Sequence, residues 1–430
     1  MKNKSLILLE LNEVSLKYVE RYIQQGKLKN FKKLIKEFGI SETHSEKKYE
    51  NLEPWIQWVT VHTGKSFYEH NIFRLGDRNK NLNNIWDELD KNNINSCLIS
   101  PMNVFNPNLE NSIFIPDPWV NTHSSKGFFI KALHKSISSM VNDNAKQKFK
   151  IKDLILFTAA IVRFTDIRKY GKLFYLFFTS FDKPWRKAIF LDLILSNVFL
   201  SVYDKKKYLF GSIFLNAAAH IQHHYFYSSD VYDGNQRNPS WYCSKKHDPL
   251  FEIYKLYDEI LEDFFKKYKE SRIILATGLS QEPTQKSKFY WRLKNHQKFL
   301  REIGITFQKV EPRMSRDFLV SFDDELTCSN AEKIFISLEL KNSNFFEVDN
   351  RGKSLFVTLT YHQNISKDDV LTNIDKKLIY PIFKNVSLVA LKNGHHNQTG
   401  YYLDNNNKNT ETVSSFELKN IFKNIISHFD

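Results

Sequence analysis

Phe214-Leu-Asn-Ala-Ala-Ala-His-Ile-Gln-His-His-Tyr225 joins the end of an apolar run to three imidazoles within five residues. The run, Lys207 to Leu215 (KYLFGSIFL), reads as a strand buried on both faces, and such strands belong to parallel sheets covered by helices. Asn216, His220, His223 and His224 then fall in the loop or first helical turn beyond its carboxyl end. That is the edge at which open α/β sheets bind ligands. On a helical turn His220 can share a side with either His223 or His224. Imidazoles so placed suit a metal, a phosphate or a proton relay, and histidines packed at a domain seam are the plain alternative.

The chain around this stretch has 430 residues, more than a single core usually holds. Hydrophobic residues at 42% and aromatic residues at 15% exclude a disordered chain. Three stretches follow from the pattern: residues 1–122 as the first part of an α/β core, 123–206 as a basic, aromatic, helical insertion, and 207–430 as the rest of the core, with a smaller appended region around 284–350. Lys and Arg outnumber Asp and Glu, 62 to 48, which biases the surface toward anionic partners such as nucleotides, phosphorylated sugars, acidic glycans or a membrane face. No nucleic-acid recognition motif accompanies the basic region, so nucleic acid is not an expected partner. The three cysteines, Cys97, Cys243 and Cys328, have neither disulfide-framework nor zinc-ribbon spacing, which points to a reducing compartment. Leu154 to Val162 and Ile189 to Leu200 are too short or too interrupted to span a bilayer. A cytoplasmic protein is expected, with any membrane contact peripheral and made through 123–206.

Ser5 to Leu11 is expected as a strand, Ser15 to Gln24 and Asn30 to Glu37 as helices. Asn12 and Glu13 sit at the first strand-to-helix turn, on the same sheet edge as the histidines; helix capping is the competing role for Asn12. Glu53 to Thr63 starts a helix with Pro54 in its first turn. Trp55, Gln57, Trp58, Thr60 and His62 make that helix unusually polar and aromatic. Thr63-Gly-Lys-Ser66 imitates the end of a phosphate-binding loop, but Val59 stands where that loop needs glycine. Pro116-Asp-Pro-Trp119 is a proline-locked turn, read as scaffold. Further helices are expected at His247 to Glu270, Asn330 to Leu340 and Ser414 to Phe429, a strand at Arg272 to Ala276, and a turn at Asn393-Gly-His-His-Asn-Gln-Thr-Gly400.

The order of these elements resembles the alkaline phosphatase superfamily, in its type I phosphodiesterase and nucleotide pyrophosphatase branch. Leu6 to Leu34 resembles the opening strand, metal-ligand turn and "G-x-L-x-N-x-x-x-L" helix. Trp58 to Phe73 resembles "W-T-S-x-x-T-G … H-G-I-F", and Ile85 to Leu89 resembles "L-W-D-x-L". Ala219 to His223 falls on "D-x-x-x-H", Ile273 to Leu279 on the strand before "S-D-H-G", and His396 to Gly400 on the terminal "H-x-x-x-G". The resemblance implies an α/β, alkaline-phosphatase-like sandwich: a mostly parallel central sheet flanked by helices, with a helical insertion.

It also implies two metal ions and a Ser or Thr nucleophile, yet most of those positions are changed. Asn12 stands for the first Asp ligand, Val59 for the nucleophile with Thr60 beside it, Ala219 for an Asp, and Thr277 and Gly278 for an Asp and a His. His223 and His396 remain as ligands, too few for a two-metal centre. Meanwhile the same edge has gained Glu10, Glu13, Glu53, Gln57, His62, His220, His224, Ser280, Gln281 and His395. The chain also resembles a set of bacterial proteins sharing "NLEPWIQWVTVHTG", "PDPW" and "AH-x-QH-x-Y" stretches, which implies no mechanism.

The leading expectation is a transferase or hydrolase of a phosphorylated, nucleotide-linked or sulfated glycan, using a rebuilt histidine and glutamate site. His220 or His223 acts as base or nucleophile, and Glu13 or Glu53 orients an imidazole. Asn12, Glu53, Trp55, Gln57, Trp58, His62, Asn216, Ser280, Gln281 and His395 are the candidate substrate contacts. One zinc or manganese held by His223 and His396, with Glu13 or His220, is the cofactor option; the other is none. The alternatives are a metal-dependent phosphodiesterase or phosphatase with Thr60 as displaced nucleophile, and a non-catalytic binding relative in surface-polysaccharide biosynthesis.

Overall fold

The computed structural model describes residues 4–46, 48–142, 151–204, 206–312, 316–373, 379–407 and 415–430. Residues 143–150 and 205 of the expected insertion lie outside them. The chain divides into two units, one of Met1–Pro283 with Gly394–Asp430, the other of Thr284–Asn393.

In the first unit β1 (Leu6–Leu11) leads through α1 (Leu16–Gln24) and α2 (Lys29–Phe38) to β2 (Ser41–His44), α3 (Pro54–Thr63), α4 (Phe67–His70) and α5 (Ile85–Lys91). β3 (Ser96–Ile99) and β4 (Ile113–Ile115) precede four helices, α6 (Phe128–Asn142), α7 (Ile151–Phe164), α8 (Tyr170–Thr179) and α9 (Arg186–Val202). Then come β5 (Phe210–Leu215), α10 (Ala217–Tyr225), α11 (Pro249–Lys267) and β6 (Arg272–Ala276), and β7 (Ser280–Leu293) carries the chain out of the unit.

The second unit contains α12 (His296–Glu302), β8 (Lys309–Pro312), β9 (Asp317–Ser321), α13 (Glu325–Ser337), β10 (Leu338–Leu340), β11 (Ser343–Asn344), β12 (Phe346–Asn350), β13 (Ser354–Leu359), β14 (Val370–Asn373) and β15 (Ile379–Pro381). β16 (Val386–Asn397) returns the chain to the first unit, which closes with β17 (Thr399–Asp404), β18 (Ser415–Glu417) and α14 (Asn420–Ile426).

The central sheet has the order β18-β2-β17-β6-β1-β5-β3-β4. β1 pairs in parallel with β5 and β6, β3 with β5 and β4, and β18 with β2, while β17 runs antiparallel to both its neighbours. The expected mostly parallel α/β sheet flanked by helices is the one observed. Along β1 the side chains alternate between two buried layers. Ile7, Leu9 and Leu11 join a core with α1, α2, α9, α10 and α11, and Leu6 and Leu8 join a second with α3, α5 and α14. Burial on both faces explains why β1 and β5 read as near-continuous apolar runs. Helices α6 to α9 contribute Leu133, Phe157, Leu173 and Phe199 to the first of these cores.

The second unit has its own core, in which Phe299, Phe318, Phe335 and Phe346 pack together, and two antiparallel four-stranded sheets, β11-β10-β14-β15 and β12-β13-β9-β8.

Three expected elements are corrected. The turn expected at Asn393 to Gly400 is extended chain, with β16 running to Asn397 and β17 starting at Thr399. The helix expected through Leu340 stops at Ser337, because Leu338-Glu-Leu340 pairs with β14 instead. The closing helix begins at Asn420, after β18 has paired with β2. No helix among the described residues is long and apolar enough to cross a membrane.

Candidate functional site

β1, β5 and β6 end side by side, Leu11 opposite Leu215 and Glu10 opposite Ala276. Their carboxyl ends are sewn together by the backbone: Asn12 N–H donates to Leu215 O (3.0 Å) and Glu13 N–H to Thr277 O (3.0 Å). Glu13 consequently sits at φ +60°, a left-handed conformation uncommon for a residue with a side chain. Its carboxylate is turned inward and buried.

Asn12 holds that carboxylate. Its Nδ2 donates to Glu13 Oε1 (3.0 Å) and to Asn216 Oδ1 (2.7 Å), and its Oδ1 accepts from the buried indole of Trp58 (2.7 Å). Both ends of the amide are therefore committed to neighbouring side chains. Gln281 Nε2 donates to Glu13 Oε2 and to Ala219 O. Gln222 donates to Glu13 O (2.6 Å) while its Oε1 accepts from Ser15 N–H (3.0 Å) and from Tyr254. A buried carboxylate needs such donors to offset its lost hydration.

Two imidazoles complete the cluster. His223 comes from α10 and His396 from the end of β16, 173 residues apart in sequence. Glu13 Oε2 lies 3.2 Å from His396 Nε2 and 3.5 Å from His223 Nε2, and the two Nε2 atoms are 3.2 Å apart. Among the described residues this is the one group of three or more His, Cys, Asp or Glu side chains placed to share an ion. A tetrahedral zinc with ligands at about 2.0–2.1 Å has ligand-to-ligand edges of about 3.3–3.4 Å. The three atoms thus form one face of such a tetrahedron. His223 Nδ1 donates to Gly394 O (3.3 Å), which leaves Nε2 as its lone-pair nitrogen. Glu53, at the amino-terminal cap of α3, brings Oε2 to 3.9 Å from His396 Nδ1. The backbone at Gly394 admits no side chain, since a Cβ there would stand 2.5 Å from Gln281 Oε1 and 2.8 Å from Gln222 O.

Helix α10 is itself anchored from the insertion. Asp192 on α9 accepts from Asn216 N–H (3.3 Å), Ala217 N–H (2.8 Å) and the Tyr257 hydroxyl (2.7 Å). A carboxylate at a helix amino terminus answers its unpaired N–H groups. Burial nevertheless pushes the Asp192 carboxyl up to about 6, against the effect of these three donors.

The other sequence candidates lie elsewhere. Thr60 is on the second turn of α3; its hydroxyl donates to Ile56 O (3.4 Å) and faces His70 Nε2 (3.3 Å). His70 Nδ1 accepts from Ile72 N–H (3.0 Å), so Nε2 carries the proton and Thr60 is occupied on both sides. Burial pulls the His70 pKa down to about 4. His62 is fully buried against Glu10 (3.1 Å), which also accepts from Ser212, because Glu10 shares the face of β1 with Leu6 and Leu8. Gln57 donates to Asn51 O (2.6 Å), and Trp55 to Phe73 O (3.1 Å). Trp58 is enclosed and offers no face to a ligand.

His220 is exposed on α10, its ring 5.1 Å from that of His224. His395 precedes His396 on β16, and strand alternation turns its side chain to the other face. Ser280 is buried at the start of β7. Gln222, Asp192 and Gly394 were not singled out as site residues from sequence. The one available signal was Asp192 itself, a lone charge in the apolar run Ile189 to Leu200.

No protein-family model matches the chain, and no curated protein matches it in sequence. Solved structures similar to it include phosphonoacetate hydrolase from Sinorhizobium meliloti 1021, at 11% identity and a TM-score of 0.45, covering 100% of this chain and 96% of that one. Murine ectonucleotide pyrophosphatase/phosphodiesterase 5 is similar at 8% identity and 0.42, covering 99% and 94%. Alkaline phosphatase from the Antarctic bacterium TAB5 is similar at 10% identity and 0.42, covering 100% and 98%. These neighbours are members of the superfamily that the sequence motifs resemble.

Proposed function

We propose that this chain is a metal-dependent hydrolase or transferase of a phosphorylated, nucleotide-linked or sulfated glycan, built on a single divalent ion held by Glu13, His223 and His396. The triangle of 3.2, 3.2 and 3.5 Å edges between one carboxylate oxygen and two imidazole nitrogens carries the reading. Two histidines and a glutamate with a fourth vertex left over is a donor set suited to zinc, and manganese is the second choice. A divalent ion there would serve as a Lewis acid toward a phosphoryl or sulfuryl oxygen.

The chain's own groups do the rest. Gly394 O fixes the tautomer of His223, and Glu53 places a carboxylate oxygen 3.9 Å from His396 Nδ1, on the side of the ring away from Glu13. Asn12, Gln222 and Gln281 hold Glu13 in its strained conformation. His220 stands outside the triangle, exposed on α10 beside His224. A second ion has no donors at Asn12, whose amide is fully engaged, nor at Thr277, whose hydroxyl accepts from Tyr401 N–H (2.8 Å). That arrangement favours a one-metal site over the two-metal phosphodiesterase alternative.

The test is elemental analysis of the purified protein beside a His223→Ala, His396→Ala double variant, with hydrolysis of a chromogenic phosphodiester, phosphomonoester and sulfate ester followed in both. One equivalent of zinc or manganese in the parent, absent from the variant, with turnover that chelation abolishes and metal restores, is the expected result. A parent protein that takes up no divalent metal, or turnover indifferent to chelation, would overturn the proposal.

A further inference from the structure

Helix α8 is apolar on its buried face, through Leu173 and Leu176, and on much of its exposed face as well. The lysine at its amino-terminal cap and the one in its first turn pair with acids of α11, Lys169 with Asp263 and Lys172 with Glu259. Its phenylalanines turn outward: Phe178 is 65% exposed and Phe181, just past the helix end, 74%, with Phe174 beside them. The rings form a cluster of their own, Phe174 stacked on Phe178 (6.5 Å) and Phe177 edge-on to Phe178 (5.4 Å) and Phe181 (5.6 Å). Ile155 and Val162 of α7 are exposed as well, and the Tyr170 hydroxyl donates to Val162 O (3.0 Å) across the connection between the helices. A surface helix of a water-soluble protein presents charge on this side, and a contiguous exposed apolar patch marks an interaction surface.

Charge selects the partner. Residues 123–206 hold 16 Lys and Arg against six Asp and no Glu, so most of the chain's net charge of +14 resides in this fifth of its length. Exposed Lys152, Arg163 and Lys187 lie on the helices that carry or support the patch. Outward aromatic and branched side chains beside a polybasic surface match the two-part attachment that holds proteins on anionic bilayers. No described helix is long and apolar enough to cross, and an attachment of this kind lies in the plane of the headgroups.

We infer that α7 and α8 dock this protein peripherally on an anionic phospholipid bilayer, with Phe174, Phe178 and Phe181 entering the boundary between headgroups and acyl chains. α8 packs on α9, whose Asp192 holds the amino terminus of α10, so the docking face and His223 belong to the same compact unit. The inference does not depend on the metal reading.

Flotation of the full chain with vesicles of phosphatidylcholine alone, or of phosphatidylcholine with phosphatidylglycerol, tests it, with sedimentation velocity run in parallel. Binding to the anionic vesicles should be at least about tenfold tighter than to neutral ones and should weaken with added salt. A Phe174→Ser, Phe178→Ser, Phe181→Ser variant should lose it while keeping the parent's circular dichroism and melting temperature. Equal binding to both vesicle types, equal binding by parent and variant, or no binding at all overturns the inference. So does a parent that dimerises through these residues, shown by a monomeric variant, without floating on vesicles.

Discussion

Replacing Asp192 by asparagine separates two opposing effects that meet at one carboxylate. Three donors converge on it, at 3.3, 2.8 and 2.7 Å, and each hydrogen bond to a charged group is worth about 1.5–3 kcal/mol when well made. Burial outweighs them, since the carboxyl is raised from its ordinary 3.8 to about 6. A native group with a raised pKa keeps its proton over a range in which the unfolded chain has lost it. The stability gained from that proton is complete below about pH 4 and disappears as pH climbs to about 6. At about 1.4 kcal/mol for each of roughly two pH units, the loss is about 3 kcal/mol. Asparagine keeps an acceptor for Ala217 N–H and Tyr257 and does not titrate.

The parent should therefore lose about 3 kcal/mol relative to Asp192→Asn between about pH 4 and pH 7. Urea unfolding in chelator, followed by tryptophan fluorescence, reads it, because six of the seven tryptophans lie in the first unit. A difference between the two proteins that stays flat, or grows in the parent's favour as pH rises, would refute the reasoning. In that event the hydrogen bonds would dominate the desolvation of the carboxylate.

Three further outcomes are expected. Single His223→Ala or His396→Ala substitutions should each weaken zinc binding by more than about a hundredfold, read by competition with a chromophoric chelator, since each removes one of three ligands. Thr60→Val should leave metal affinity unchanged and metal-dependent turnover within about twofold, at a cost of about 1 kcal/mol for the unpaired Nε2–H of His70, seen in thermal melts; a collapse in turnover with metal binding intact would return Thr60 to the chemistry. Gly394→Ala drives a methyl against Gln281 Oε1 and Gln222 O, so it should cost about 1–3 kcal/mol and loosen metal binding together, whereas a neutral effect on both would show that this backbone can yield.

Much of the first unit was legible because parallel strands buried on both faces leave near-continuous apolar runs, as Leu6–Leu11 and Phe210–Leu215 do apart from Glu10 and Ser212. The polar residues just beyond them mark the edge where the site forms, and Asn12, Glu13, Asn216 and His223 could be placed there from order alone. β7 was not legible in Ser280-Gln-Glu-Pro-Thr-Gln-Lys-Ser, whose exposed and polar residues carry no clear alternation.

The sequence by itself determined the sheet, the edge at which its parallel strands end and the residue types gathered there. Tertiary structure alone decided which of them meet. Helical spacing allowed His220 to pair with either His223 or His224, but the rotation of α10, set by Asp192 and Gln222, turns His223 toward Glu13 and leaves His220 outside. Parity along β16 admits His396 and sends His395 to the opposite face. Glu13 points inward only because pairing between β1, β5 and β6 holds its backbone at a positive φ. Local pattern fixes the direction of a side chain relative to its own element; its direction relative to a residue 173 positions away depends on packing that no short stretch contains.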